Sequence, residues 1–116
     1  MRAPIVLFIL VVLATSCFGK EIHRGANVQV KPNSIWFKEE ANLSHWQQLK
    51  KSGDTSALSS YQDDVLSQRD AWQFVHPLTV KILRYEAAKR RVKVEMKGEG
   101  RMAGTKWWLD VAALEP

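Results

Sequence analysis

Val28 and Val30 alternate with polar neighbours, the alternation breaks at Pro32-Asn33, and Ile35 and Phe37 resume it. This pattern predicts a strand, a turn and a short strand over residues 26–37. The period then changes. In "NLSHWQQLKKSG", Leu43, Trp46 and Leu49 or Lys50 recur at helical spacing, Asn42 is placed to cap the start, and Lys50, Lys51 and Gly53 suit the end. Leu58, Tyr61, Val65 and Leu66 follow at i, i+3, i+7 and i+8 and predict a second helix. The two make a hairpin with its corner at Gly53-Asp54. Their apolar stripes are narrow, so the hairpin should cap another layer rather than form a bundle alone.

Beyond residue 70 the period is two again. "AWQFV" leads to Pro77, Leu78, Val80 and Ile82 alternate against Thr79, Lys81 and Leu83, and Val92, Val94 and Met96 alternate against Arg91, Lys93, Glu95 and Lys97. The last two runs predict a hairpin across Ala87 to Lys89. "GEGRMAG" is a glycine-rich turn, "TKWWLDV" is the next strand, and "AALEP" is short enough for one 3₁₀ turn. Within "TKWWLDV", Trp107, Leu109 and Val111 share one face and Trp108 and Asp110 the other. The apolar triplet is the better core, so Trp107 is expected inside and Trp108 outside.

The amino terminus belongs to a different regime. Residues 1–19 have Arg2, an uncharged apolar run of ten residues from Ile5 to Ala14, and small residues after it, which is a secretory signal pattern. A membrane span needs about 20 apolar residues, so an uncleaved anchor fits less well. Cleavage is expected after Ser16 or Gly19. "LATSC" also resembles a bacterial lipoprotein box with Cys17 as the lipidated residue. Cys17 is the only cysteine, so the remaining chain forms no internal disulfide.

Residues 20–116 are then a single domain with a helical insert at about 42–68, stabilised by its core alone. The chain has 17 Lys and Arg against 12 Asp and Glu, and loss of Arg2 leaves a net charge of +4. The charge is unevenly spread. Residues 38–70 carry four basic and six acidic side chains, whereas residues 84–106 carry eight basic and three acidic ones.

No catalytic set assembles from these residue types. His23, His45 and His76 lie in three different sections without a second ligand at metal spacing. Asp63 and Asp64 diverge by about 100 degrees on a helix and do not form a proton-sharing pair. The serines sit in cap and turn contexts, so nucleophile, base and orienter are not found together. A non-enzymatic protein without a cofactor or metal is expected. An envelope hydrolase would need His76, Asp70 and a serine gathered in a deep pocket.

The basic segment is the strongest polar signal. Arg91, Lys93 and Lys97 share the face opposite Val92, Val94 and Met96, and Arg84, Lys89, Arg90, Arg101 and Lys106 flank it. A solvated sheet face accounts for this pattern. The functional reading is an anionic partner: lipid headgroups, a cell-wall polymer or an acidic protein surface. Nucleic acid is not expected for an exported chain. Trp46 should dock the insert onto the sheet, and Trp72 and Phe74 share a face and look like core. Trp36 points away from Ile35 and Phe37, which leaves it exposed or covered by the helices.

The succession "VKIL…RVKVEM…G…WWLDVAAL" resembles the small SH3-like barrels of exported bacterial proteins (SH3b-type), over residues 71–116 and more weakly over 26–37. The resemblance implies a mainly β (α+β) fold, a five-stranded SH3-like barrel capped by the helical hairpin. In peptide-binding members with paired tryptophans the first meets the ligand, which would be Trp107. This chain lacks their acidic specificity loop and proline-tyrosine ending, so the local alternation favours Trp108.

The expectation is an exported binding or adaptor module of the bacterial periplasm or cell envelope, membrane-anchored if Cys17 is lipidated. It would recognise an anionic protein or cell-wall polymer through Trp108, Trp36, Arg91, Lys93, Lys97 and Lys106. The alternative is a structural or inhibitor protein that works through the helical insert.

Overall fold

The computed structural model describes residues 22–98 and 100–115; the signal-like segment and Cys17 lie outside them. Six strands form one antiparallel sheet: β1 (Asn27–Val30), β2 (Ile35–Phe37), β3 (Ala71–Gln73), β4 (Leu78–Glu86), β5 (Arg91–Met96) and β6 (Lys106–Asp110). Two helices, α1 (Glu40–Ser52) and α2 (Thr55–Ser67), fill the excursion between β2 and β3. The periodicities thus located each element. They did not determine which strands are neighbours.

The sheet order is β1-β4-β5-β6-β2-β3, with β1 and β3 at the edges. The sheet therefore has six strands rather than the expected five and is not closed by a continuous ladder. The additional strand, β3, pairs with β2 in the register Trp36↔Trp72. Across its other side β2 meets β6 at Phe37↔Trp108. Residues 27–37 are consequently not a hairpin, because β1 pairs with β4 instead.

The sheet must also curl. β1 and β2 are separated by four interstrand spacings, about 19 Å in a flat sheet. The chain from Val30 to Ile35 has only five steps, at most about 17 Å fully extended, and it turns at Asn33, which has φ 66°. The segment after β6 also bonds β1: Leu114 bridges Val30, the Lys31 amide donates to the Ala113 carbonyl at 2.7 Å, and the Glu115 amide donates to that of Gln29 at 2.9 Å. A 3₁₀ turn at Val111–Ala113 carries the chain across to it.

Two apolar clusters lie on opposite faces of this one sheet. Val28, Val30, Trp36, Val80, Ile82, Val92, Val94, Trp107 and Leu109 fill the first, with Leu114 and Met96. Trp36 stands edge-on to Phe74 and to Trp107, with centroids 5.1 and 6.0 Å apart. Phe37, Leu43, Trp46, Val65, Ala71 and Trp108 form the second, under the helices. A β-bulge at Leu83 separates the pairs Ile82↔Val94 and Arg84↔Lys93. It shifts the alternation by one residue, so Arg84 faces the helix side and Tyr85 joins the Val92 side.

Local chemistry sets the helical corner. Gly53 closes α1 at φ 79°, a left-handed conformation, with its amide donating to the Lys50 carbonyl. Asp54 then caps α2 by accepting from the Ala57 amide at 3.0 Å. The expected Asn42 cap is corrected, since α1 begins at Glu40 and its N-cap residue is Glu39, three residues before Asn42. The Asn42 amide group instead donates to the Tyr61 hydroxyl at 2.9 Å, tying α1 to α2. Trp46 donates its indole N–H to Gln62 Oε1 at 2.8 Å, which lets the ring be buried without an orphaned donor.

Candidate functional site

On the helix side of the sheet, side chains stand in transverse rows set by the ladder registers. Glu86, Arg91 and Asp110 form one row, and Arg84, Lys93, Trp108 and Phe37 the next. Lys81, Glu95 and Lys106 form a third. Lys97 follows Glu95 in the alternation, and its amide donates to the Thr79 carbonyl. The helices rest on the first two rows near β6 and β2 and leave the Lys81 side open.

Three of the expected site residues are taken out of the surface by this arrangement. Trp108 does face away from Trp107, as the alternation implies, but it is only 7% exposed. The outward face of β6 is the floor of the second core, and Phe37 and Trp46 of that core pack with their rings tilted at 53° and centroids 5.8 Å apart. Both tryptophans of the pair are therefore inside, one in each core. Trp36 is also buried, on the face opposite the helices, because β2 sits between β6 and β3 and its inward side joins the first cluster.

Arg91 is the third correction. Its side chain is 9% exposed, and its guanidinium bonds Glu40 Oε2 at 3.2 Å. This ion pair joins β5 to the first turn of α1. Two further buried atoms of the row, Arg91 Nε and Glu86 Oε1, have no hydrogen-bond partner among the described residues, although the two residues face each other in the ladder. Arg91 thus holds the insert onto the sheet and offers no free charge to a ligand.

The remaining expected residues stay together. Lys93 is half-buried, with Nζ 5.9 Å from the Trp108 ring centroid, a cation–π contact that fixes it at the edge of the helical layer. Lys97 and Lys106 are exposed, and Lys81 joins them from β4. The spacing of strands and residues places these four lysines within a patch of about 10 by 13 Å. Among the described residues its carboxylate is Glu95, half-buried in the middle, and Glu86 lies outside it, in the Arg91 row, bonded to Arg84 at 3.0 Å. The patch carries a clear positive excess and no apolar centre, so it suits electrostatic recognition of an extended anion.

The alternation in the sequence set Lys81 opposite Leu78, Val80 and Ile82, and its place in the patch follows from pairing β4 with β5. His76 and His23 are exposed. His45 stacks on Tyr61 at 4.4 Å. Among the described residues no three His, Cys, Asp or Glu side chains gather as a metal site, and no helix is long and apolar enough to cross a membrane. Comparison of the chain with protein-family models, with curated proteins and with solved structures finds no match in any of the three.

Proposed function

We propose that this chain is an exported, non-enzymatic binding module of the bacterial cell envelope, anchored to the membrane if Cys17 is lipidated. It recognises an anionic protein or cell-wall polymer through the open sheet face of Lys81, Lys93, Lys97 and Lys106. The observation that carries this reading is the set of three exposed lysines, Lys81, Lys97 and Lys106, left uncovered beside the helical layer, with half-buried Lys93 held next to them by Trp108. The aromatic half of the expected site is withdrawn, since both Trp36 and Trp108 are buried.

An SH3-like barrel is the fold family we assign. Supporting it are the strand order β1-β4-β5-β6, the 3₁₀ turn after β6, and the return of Leu114 to Val30, which brings the two ends of that four-stranded unit together. The helical hairpin and β2-β3 then form one long excursion between the first and second strands of the barrel. The export signal pattern of residues 1–19 supports the location.

The test is retention of the purified protein on an envelope fraction across a salt series. Lys81→Gln/Lys106→Gln is expected to abolish retention while circular dichroism and melting stay close to wild type, because both side chains are exposed and glutamine sets no like charge opposite Glu95. Wild-type retention by that double variant overturns the proposal.

A further inference from the structure

A second basic feature lies away from the sheet face. A cleft of about 490 Å³ opens between α1 and the β4–β5 turn. Ser44, Gln48 and Lys51 line one wall from a single stripe of α1, and Lys89 and Arg90 line the other. Gln47 joins the walls by donating through Nε2 to the Arg90 carbonyl at 3.0 Å and to Asp110 Oδ1 at 2.7 Å. The second Asp110 oxygen accepts from the Ala112 amide at 3.2 Å. The carboxylate at the cleft is thereby bonded through both oxygens.

The cations are not similarly engaged. Lys50 is held over the Trp46 ring at 4.7 Å. Among the described residues, Lys51, Lys89 and Arg90 have no carboxylate within ion-pair distance, in contrast to Arg84 and Arg91. Lys51 also offsets the negative end of the α1 dipole. That role does not extend to the facing pair. Arg90 moreover has φ 52° and ψ 47°, a left-handed conformation in which glycine or asparagine is at ease and a long side chain is strained. The turn thus keeps an arginine in the lining of the cleft against the local backbone preference.

We infer that this cleft is an oxyanion site that takes a phosphate-type group, with Lys51, Lys89 and Arg90 as the cations and Ser44 and Gln48 as neutral donors. Three unpaired cations on two walls exceed what one carboxylate neutralises and match a multiply charged ligand with several terminal oxygens. The Arg90 fork is suited to two of those oxygens at once. The group could be carried by a soluble ester or by a lipid headgroup. The site does not depend on the lysine patch of the sheet, and the variants below separate the two.

The experiment follows amide shifts of the full chain on titration with inorganic phosphate, then sedimentation with vesicles of phosphatidylglycerol in phosphatidylcholine. Phosphate should shift Ser44, Gln48, Lys51, Lys89 and Arg90. Arg90→Gly should weaken binding at least fivefold while the melting temperature holds or rises, because glycine relieves the backbone strain. Lys81→Gln/Lys106→Gln should stay within twofold of wild type. Vesicle binding that Arg90→Gly abolishes assigns the headgroup, and phosphate binding without vesicle binding assigns a soluble ester. Unmoved cleft amides, wild-type affinity in Arg90→Gly, or equal weakening by the Lys81/Lys106 variant overturns the inference.

Discussion

Replacing Trp108 with alanine separates a buried indole from a displayed one. Trp108 is 7% exposed and belongs to the cluster with Phe37, Leu43, Trp46, Val65 and Ala71. A buried tryptophan removes about 150–250 Å² from water, worth about 4–6 kcal/mol at 25 cal/mol per Å². Alanine keeps a little of that area and the site relaxes in part, so a loss of about 3–5 kcal/mol is expected. A domain of this size has about 5–15 kcal/mol in all. Trp108→Ala should therefore be folded but strongly destabilised. Urea unfolding followed by far-ultraviolet circular dichroism measures this, and native-state hydrogen exchange localises it: amides of α1 and α2 should lose protection before those of β4 and β5. A change within about 0.5 kcal/mol is what an exposed position gives. A loss below about 1 kcal/mol with unchanged exchange in the helices would refute the two-core account.

Glu40→Gln should cost about 2 kcal/mol, because it leaves the buried Arg91 guanidinium without its ion-pair partner, and the Glu40 carboxylate that Arg91→Met leaves behind is 43% exposed and adds little to the cost of that variant. The double variant should lose at least 1 kcal/mol less than the sum, and a double-mutant cycle in urea measures that coupling. Replacing residues 42–68 by a short turn should not yield a smaller stable sheet, since it uncovers Phe37, Ala71 and Trp108 together. Binding of a hydrophobic dye and loss of a cooperative melt are the expected outcome, and a sharp melt of the shortened chain would contradict it.

Much of the architecture was legible because it is written in short-range periodicity. Val92, Val94 and Met96 share a face by geometry alone, and Leu58, Tyr61, Val65 and Leu66 share a helix stripe for the same reason. The 3₁₀ turn after β6 and the left-handed end of α1 at Gly53 were likewise local matters. The place of β3 in the sheet was not legible, because that strand is only three residues long and draws its pairing from β2, which is 34 residues earlier. The Asn42 cap failed because the helix begins earlier, at Glu40, which leaves Asn42 inside the first turn, where its side chain meets Tyr61, 19 residues away.

The candidate site divides along the same line. Alternation along β6 correctly put Trp107 and Trp108 on opposite faces, and alternation along β5 put Arg91, Lys93 and Lys97 on one. Whether a face meets water is not a property of the strand. It depends on what the rest of the chain lays over it, and here α1 and α2 cover Trp108 and Phe37, clamp Arg91 through Glu40, and stop short of Lys81, Lys97 and Lys106. By itself the sequence determined the elements, their faces and an excess of positive charge on one segment. The tertiary structure alone decided which of those faces became a second core and which remained a surface, because burial depends on contacts between residues far apart in the chain, which no local period encodes.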